Sequence, residues 1–314
     1  MKAVVILIGI IVLNFLLIHA APGDPAAVMA GEAGETDELF LQQLKERFGL
    51  DKPLPLQLWL YVQSILQFEL GYSYRQQLPV SQLISERLPA TLLLSITAFG
   101  ISICLGILGG ALAAARQGRW SDTLISLAAL IFYATPLFWL ALMAILLFSV
   151  QLGWLPGFGY ESVGAGYTGL WRALDILTHL ILPAMTLGLF FMAIYARMTR
   201  SSMLEVSRLD YVKTARAKGL RPRLIQRRHI LRNAILPVVT LAGLQAGQLV
   251  GGAVLIETVF AWPGIGRLMF DALSQRDYNL LLGVFVVSAA MVLLFNLITD
   301  ILYRIVDPRI RVAS

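Results

Sequence analysis

The side chains that commonly carry catalysis or bind metals are few in this chain of 314 residues, and they are scattered. Its three histidines, His19, His179 and His229, do not form the i, i+4 pair used by a metal site on a helix. Cys104 is the single cysteine, which excludes a disulfide framework and a thiolate zinc site. The sequence contains neither a Gly-x-Ser-x-Gly nucleophile motif nor a Gly-x-x-x-x-Gly-Lys-Ser/Thr phosphate loop. We therefore predict no catalytic residue, no metal, no cofactor and no ATP hydrolysis by the chain itself.

The most informative polar stretch is basic: eleven lysines and arginines lie between Arg197 and Arg232. Asp210 is a suitable N-cap and Gly219 a suitable stop for a helix of about nine residues. One face of this helix is apolar and consists of Tyr211, Val212, Ala215 and Leu220. A short exposed helix folds stably only when it packs against something. Two roles stay open: the cations hold the segment inside and contact anionic lipid head groups, or the helix docks in a groove of a partner protein.

A second set of small and polar residues lies in the apolar run 234–256. Gly243, Gly247 and Gly251 repeat every four residues and share one helix face, which lets another helix approach closely. Gln245 and Gln248 lie about 140–200° around the helix from Gly243. Because an unpaired amide is costly in lipid, these glutamines should face a polar surface. Either they line a solute pathway, or they hydrogen-bond to a neighbouring helix.

The elements that carry these residues are long apolar segments. Hydrophobic residues make up 58% of the chain and charged residues 14%, whereas soluble proteins carry about 25% charged residues. A helix needs about 20 apolar residues to cross a bilayer, and about six segments qualify. They lie at roughly residues 3–20, 90–115, 123–150, 179–198, 234–256 and 280–303. We predict an all-α polytopic membrane protein, in which kinks at Pro136 and Pro183 would be unsurprising.

Lysine and arginine are distributed unevenly between the two sides of these spans. One side collects seventeen cations and four acids, and the other eight cations and fourteen acids. Because cytoplasmic loops are enriched in lysine and arginine, we expect both termini and the loop at about 199–233 to be cytoplasmic. The basic character follows from this topology and does not indicate nucleic-acid binding. The first span has an alternative interpretation as a cleaved secretory signal, although Asn14 favours a helix packed among others.

Residues 21–89 form the largest external segment. Two helices are predicted in it, at about 37–48 and 55–69. The first has an apolar face consisting of Phe40, Leu41, Leu44 and Phe48. We expect this face to pack on the membrane domain or on a partner.

The basic helix also carries a family resemblance. An alanine-containing helix followed by a glycine and a downstream Leu-Pro is similar to the E-A-A-x-x-x-G loop of permease subunits of ATP-binding-cassette (ABC) importers. Lys213, Thr214 and Ala215 take the E-A-A positions, Gly219 the glycine, and residues 235–237 the closing element. Lysine and threonine replace glutamate and alanine here, and the glycine-to-proline separation is longer. The resemblance implies ATPase coupling by Tyr211, Lys213, Thr214, Ala215, Ala217, Gly219 and Leu220.

Other stretches resemble the dipeptide, oligopeptide and nickel branch of that family, and together they extend over nearly the whole chain. They are residues 21–26 (APGDPA), 49–55 (GLDKPLP), 86–92 (ERLPATL), 211–220 (YVKTARAKGL) and 257–268 (ETVFAWPGIGRL). Relatives often have proline at the position of Asn279. They also have more basic residues before the first span, which leaves open whether Met1 is the natural start.

The resemblance implies the type I permease fold of ABC importers, with a first helix and external segment at 1–88 and an ABC type-1 transmembrane domain at 89–314. It also implies a bacterial inner-membrane location and several partners: a paralogous permease, cytoplasmic ATP-binding subunits, a periplasmic or extracellular solute-binding protein and membrane lipid. The alternative is a self-contained secondary transporter or channel. That class needs an ion site near the midplane, commonly acidic, and the sequence offers none. The residues do not identify the solute or distinguish a heterodimer from a homodimer.

Overall fold

The computed structural model describes residues 2–20, 42 and 51–306. Its main elements, in chain order, are α1 (Lys2–Ala20), α2 (Leu54–Leu66), β1 (Tyr72–Ser73), β2 (Leu78–Pro79), α3 (Val80–Ala115), α4 (Trp120–Ala134), α5 (Leu137–Ala144), the π-helix π1 (Ile145–Gln151), α6 (Gly169–Val206), α7 (Asp210–Ala217), α8 (Pro222–Leu224), the π-helix π2 (Ile225–Leu231), α9 (Arg232–Val259), α10 (Ile265–Gln275) and α11 (Tyr278–Val306). The predicted all-α class is confirmed, with one antiparallel hairpin of two-residue strands as an addition.

The chain forms two compact units. The first comprises Met1–Ala90 with Gly264–Leu293, and the second comprises Thr91–Pro263 with Leu294–Ser314. These spatial units differ from the predicted division between residues 88 and 89, because the segment at 264–293 folds with the first unit. The division into a first segment and an ABC type-1 domain stays a prediction.

Within the described residues, three helices are long and apolar enough to cross a membrane. They are α3, α6 and the part of α11 from Tyr278 to Leu297. Helix α4 together with α5 and π1 makes a fourth if this bent pair is one crossing. Helices α1 and α9 occupy the positions predicted for the first and fifth spans. The predicted total of about six spans stays a prediction.

The span expected at 123–150 is broken rather than straight. The segments Trp120–Ala134 and Leu137–Gln151 meet at an angle of 105°. Thr135 adopts an extended backbone (ψ 132°) before Pro136, because the proline ring disfavours the helical conformation of the residue that precedes it. The Thr135 hydroxyl donates to Ile131 O at 2.7 Å, which satisfies a carbonyl near the end of α4. In contrast, α6 continues through Pro183.

Polar contacts hold the first unit together. Buried Asn14 on α1 donates to Leu282 O of α11 at 3.3 Å, as expected for a helix packed among others. Buried Asp277 accepts hydrogen bonds from Ser73 Oγ on β1 and from the backbone N–H of Leu280 at 3.0 Å. Asn279 donates to Tyr72 O at 3.2 Å. The hairpin is therefore tied to the first turn of α11, and Asn279 makes a contact that proline could not.

The external segment is described in part. Helix α2 confirms the helix predicted at about 55–69, and its Gln57 Oε1 lies 2.9 Å from His19 Nε2 of α1. The helix predicted at 37–48, with its apolar face of Phe40, Leu41, Leu44 and Phe48, lies outside the described residues.

Helices α3 and α6 of the second unit pack backbone to backbone. A Cβ added at Gly106 would lie 2.4 Å from Tyr195 Cβ, and one added at Gly110 would lie 2.4 Å from Ala196 O. On the opposite helix, a Cβ at Gly188 would lie 2.7 Å from Ile101 Cγ2. Only glycine permits this approach, so small residues on both helices fix their separation.

Candidate functional site: the α7 helix and its surroundings

Helix α7 begins one residue earlier than the sequence pattern predicts. Leu209 is the N-cap, and Asp210 is the first helical residue with no side-chain capping bond, so the N-cap assigned to Asp210 is wrong. The Asp210 carboxylate instead pairs with Lys213 Nζ at 2.8 Å. Because Asp210 lies in the first turn, its negative charge also interacts favourably with the positive end of the helix dipole.

The other end of α7 has the geometry of a Schellman motif, which confirms the predicted stop at Gly219. The Gly219 N–H donates to Arg216 O at 2.9 Å, and the Leu220 N–H donates to Ala215 O at 3.3 Å. These two bonds require a left-handed residue between them, and Gly219 has φ +74°. Glycine adopts this conformation at no steric cost, which explains its presence in the motif.

The apolar face of α7 packs on its own chain. Val212 and Ala215 are buried in a cluster with Met203 at the end of α6, Ile225 and Ile230 of π2, and Ala234 of α9; Leu220 packs against its edge. The sequence left open whether this stripe enters a partner's groove, and the structure gives it an intramolecular partner. Helix α7 is therefore fastened by its side chains to the ends of α6 and α9.

Tyr211 adds a polar link at one side of this contact. Its hydroxyl donates to His229 O at 3.1 Å and accepts from Asn233 Nδ2 at 2.7 Å. Asn233 also donates to His229 O. The ring is 39% exposed, so Tyr211 closes the rim of the cluster rather than filling its centre.

The remaining face of α7 is solvent-exposed. Asp210, Lys213, Thr214 and Ala217 fall within an arc of about 100° and are all exposed. The Asp210 and Lys213 side chains are 94% and 66% exposed, so their ion pair contributes little to folding. This face is the part of α7 that can contact another protein without disturbing the cluster beneath it.

The predicted glutamine face on α9 is described in part. Gln245 is half-buried, and its Oε1 atom is buried with no hydrogen-bond partner among the described residues. Gly243 and Gly247 are buried, while the side chains of Gln248 and Gly251 lie outside the description. A buried amide oxygen ordinarily has a hydrogen-bond partner, so this atom could accept a bond from a neighbouring helix or from a solute. Solute contact by Gln245 and Gln248 and packing by Gly243, Gly247 and Gly251 stay predictions.

Two pairs that the sequence reasoning missed stabilise the region around α7. Gly106 and Gly110 form a Gly-x-x-x-Gly pattern that is readable in the sequence and is typical of close helix packing. Arg200 of α6 forms a bidentate pair with buried Asp122 of α4, at 2.7 and 2.9 Å, and the Gly118 N–H donates to the same carboxylate at 3.0 Å. Residues 78 positions apart give no local signal of such a pair.

Comparison with known proteins places the chain in a family. Residues 106–312 match the family model described as "Binding-protein-dependent transport system inner membrane component", and residues 1–95 match the corresponding N-terminal model.

The relatives cover nearly the whole chain. A dipeptide transport system permease protein (DppB) of Alkalihalophilus pseudofirmus is 41% identical over 98% of this chain and 96% of its own. The protein of that name in Escherichia coli K12 is 42% identical over 97% and 94%. A di/tripeptide transport system permease protein of Pseudomonas aeruginosa is 43% identical over 96% and 94%. The resemblance to the peptide branch of ABC importer permeases is therefore confirmed.

Solved structures show the same fold at low sequence identity. An inward-facing MetNI methionine ABC transporter matches with a TM-score of 0.58 and 21% identity over 72% of this chain and 97% of the other. An amino acid ABC transporter solved with histidines gives a TM-score of 0.51 and 17% identity over 71% and 94%. With the family models and the full-length relatives, these matches establish that the chain belongs to the inner membrane components of binding-protein-dependent transport systems, the permease subunits of ABC importers.

Proposed function

We propose that this permease subunit moves peptides across the bacterial inner membrane, with both termini and α7 in the cytoplasm. Support for the solute class comes from the relatives that are named for dipeptide or di/tripeptide transport at 41–43% identity. Support for the orientation comes from the excess of lysine and arginine on the side that carries α7. A nickel complex is the other solute suggested by the sequence resemblance.

Helix α7 is the proposed coupling element, and its two faces are the observation that carries this assignment. The buried face fastens it to α6 and α9 through the cluster around Val212 and Ala215. The exposed face, with Lys213, Thr214 and Ala217, is free to rest on a cytoplasmic ATP-binding subunit. A displacement of that subunit would then move α7 and the ends of two long helices as one body, which would shift the permease between inward and outward access. Tyr211, Gly219 and Leu220 keep α7 in shape and in place.

The proposed assembly contains further subunits. A paralogous permease would complete the channel, two cytoplasmic ATP-binding subunits would supply the energy, and an external solute-binding protein would deliver the peptide. Within this chain the solute would pass Gln245 and Gln248. The Oε1 atom of Gln245, which has no hydrogen-bond partner in the described part of the chain, supports that path. The glycines Gly243, Gly247 and Gly251 would hold another helix against the opposite side of α9.

The coupling role can be tested by reversing one exposed charge. Lys213→Glu should reduce copurification of the ATP-binding subunit and ATP-dependent peptide uptake by about tenfold, while expression and thermal stability stay unchanged because Lys213 is largely exposed. Arg221→Glu, the same charge change just beyond the helix, is the matched control. Equal losses in both variants, or none in Lys213→Glu, would contradict the assignment.

The pathway role requires a separate measurement. Gln245→Leu should lower peptide uptake while the assembled complex still hydrolyses ATP, because the change removes a polar contact without touching α7. Thr240→Val on the same helix is the control, since the Thr240 hydroxyl already bonds its own helix at Leu236 O. Unchanged uptake by Gln245→Leu in a normally assembled complex would remove it from the pathway.

The rival secondary transporter is distinguished by reconstitution. Vesicles that contain only this chain should not accumulate a labelled dipeptide against a gradient, whereas vesicles with the ATP-binding subunits, the second permease and the binding protein should do so when ATP is present. Accumulation by the chain alone would refute an ABC mechanism. ATP-driven accumulation of nickel without dipeptide transport would correct only the solute.

A further inference from the structure

A basic cavity lies beside α7 in the second unit, on the side of the helix opposite to Tyr211. Its volume is about 570 Å³, within the range of about 300–1,000 Å³ of sites that hold small molecules. The polar part of its lining comes from four segments, namely the turn after α3, the end of α6, α7 and π2. The polar lining residues are Arg116, Gln117, Arg119, Ser207, Arg216 and Gln226.

The positive charge of the arginines that line this cavity is not neutralised by acidic residues of the lining. None of its lining residues is acidic, and in the described part of the chain the three arginines have no carboxylate partner within salt-bridge distance. The nearby acid Asp122 is already engaged by Arg200 and by the Gly118 N–H, and Asp210 is paired with Lys213. Glu205 of α6 is exposed and does not line the cavity. Guanidinium groups are well suited to bidentate contacts with phosphate oxygens, so the cavity suits a phosphate-bearing ligand.

The surroundings of the cavity indicate which kind of phosphate-bearing ligand it suits. Trp120 directly follows the arginine-bearing turn and is 79% exposed, and tryptophan is enriched at the head-group level of a bilayer. From there α4 presents an exposed apolar stripe at Leu124, Leu127 and Ile131, spaced as one helix face. A lipid that lies along this stripe would place its head group at Arg116 and Arg119.

We propose that the cavity binds the head group of an anionic phospholipid such as phosphatidylglycerol. The phosphate would contact Arg116 and Arg119, and Arg216 of α7 would form the far wall. Basic pockets at the ends of membrane helices are known to select anionic lipids. Because one wall belongs to α7, the bound lipid would also brace that helix against the ends of α3 and α6.

The test uses the full chain in a zwitterionic detergent, titrated with dioctanoyl phosphatidylglycerol or dioctanoyl phosphatidylcholine and followed by thermal stabilisation. Wild type should bind the phosphatidylglycerol at least tenfold more tightly. Arg116→Gln with Arg119→Gln should weaken that binding by about 25-fold, on the basis of roughly fivefold for each arginine. Binding of phosphatidylcholine should weaken less, because its choline cation offsets the charge of the phosphate. Arg216→Gln alone should weaken it about fivefold, so the prediction does not depend on one variant folding normally.

The matched control is Arg223→Gln with Arg227→Gln, two exposed arginines of the same basic segment that do not line the cavity. This pair should stay within twofold of wild type. Equal weakening by the control would overturn the site in favour of diffuse attraction by the whole segment. Wild type that fails to prefer phosphatidylglycerol would overturn the proposal outright, and inorganic phosphate that displaces the lipid at equal concentration would identify a soluble anion as the occupant instead.

Discussion

The close approach of α3 to α6 predicts that adding one carbon to either of two glycines destabilises the protein, while adding it to their neighbour does not. An alanine Cβ at Gly110 would lie 2.4 Å from Ala196 O and 2.6 Å from Thr199 Cβ, against about 3.4 Å for an ordinary contact. The atoms it meets include helix backbone, which cannot rotate away. The helices must therefore separate by about an ångström, and a gap of that size forfeits up to half of the dispersion energy of each contact it opens.

The expected magnitude follows from this geometry. Gly110→Ala and Gly106→Ala should each lower the free energy of unfolding by about 1–3 kcal/mol, as overpacked cores do. The double variant should cost less than the sum of the two, because one separation of the helices relieves both clashes. At Gly109 the same carbon would lie 3.6 Å from Ile125 Cγ2, so Gly109→Ala should be neutral, or stabilising by up to about 1 kcal/mol through helix propensity.

The assay is unfolding of the detergent-solubilised chain by increasing mole fractions of sodium dodecyl sulfate, followed by far-ultraviolet circular dichroism. The midpoints of the three single variants are compared with wild type. If Gly109→Ala is as damaging as Gly110→Ala, or if the two clashing substitutions add fully, then contact at these glycines does not set the helix separation.

Three further outcomes are expected. Arg200→Gln should destabilise the chain by about 1–3 kcal/mol, because it leaves the buried carboxylate of Asp122 without its bidentate partner. Arg200→Lys should recover part of the loss in the same unfolding assay. Full stability of Arg200→Gln would contradict the importance of the pair. Val212→Ser should raise the rate of amide hydrogen exchange in α7 by over tenfold, since it places a hydroxyl in the cluster at a cost of about 2 kcal/mol. Val212→Ile should leave that rate unchanged. The Arg172 guanidinium, which hydrogen-bonds Glu161, holds the pKa of that exposed carboxyl below its usual 4.5. The Arg172–Glu161 pair should therefore persist above pH 4.5 and disappear as the pH falls through the lowered pKa. The carboxyl carbon chemical shift of Glu161 should report this titration, and a midpoint at or above 4.5 would contradict the prediction.

The helices and their type could be predicted from the sequence because long apolar runs determine them with little help from tertiary contacts. The break at Pro136 could not, since the same residue type leaves α6 continuous at Pro183. Whether proline kinks or divides a helix depends on which neighbours satisfy the freed backbone groups. The N-cap predicted at Asp210 is wrong because the helix already includes Asp210 as its first residue, and the Asp210 carboxylate pairs with Lys213.

The residues of the candidate site could be predicted from the sequence, but the surface that the apolar face of α7 contacts could not. The stripe on α7 is apolar whichever surface covers it, so the sequence alone could not distinguish a groove in a partner from the cluster formed by π2 and the ends of α6 and α9. The Asp122–Arg200 pair joins segments that are far apart in the chain, and only the fold brings them together. The Gly106 and Gly110 pattern, in contrast, is local, because its two residues lie four positions apart in one apolar run.

The orientation of α7 changes how its family signature is understood. Ala215 and Leu220 contact the chain's own cluster, so their constraint is internal packing, and Gly219 supplies the backbone turn that brings Leu220 onto that cluster. Of the residues to which the resemblance assigns coupling, Lys213, Thr214 and Ala217 lie on the exposed face of α7, and in the proposed coupling role they would contact the partner. The lysine that replaces the usual glutamate lies on that outer face, beside an acid that neutralises it locally. A protein surface that accepts this helix must therefore match a paired charge rather than a single negative one, and partners selected for a glutamate at this position should bind it more weakly.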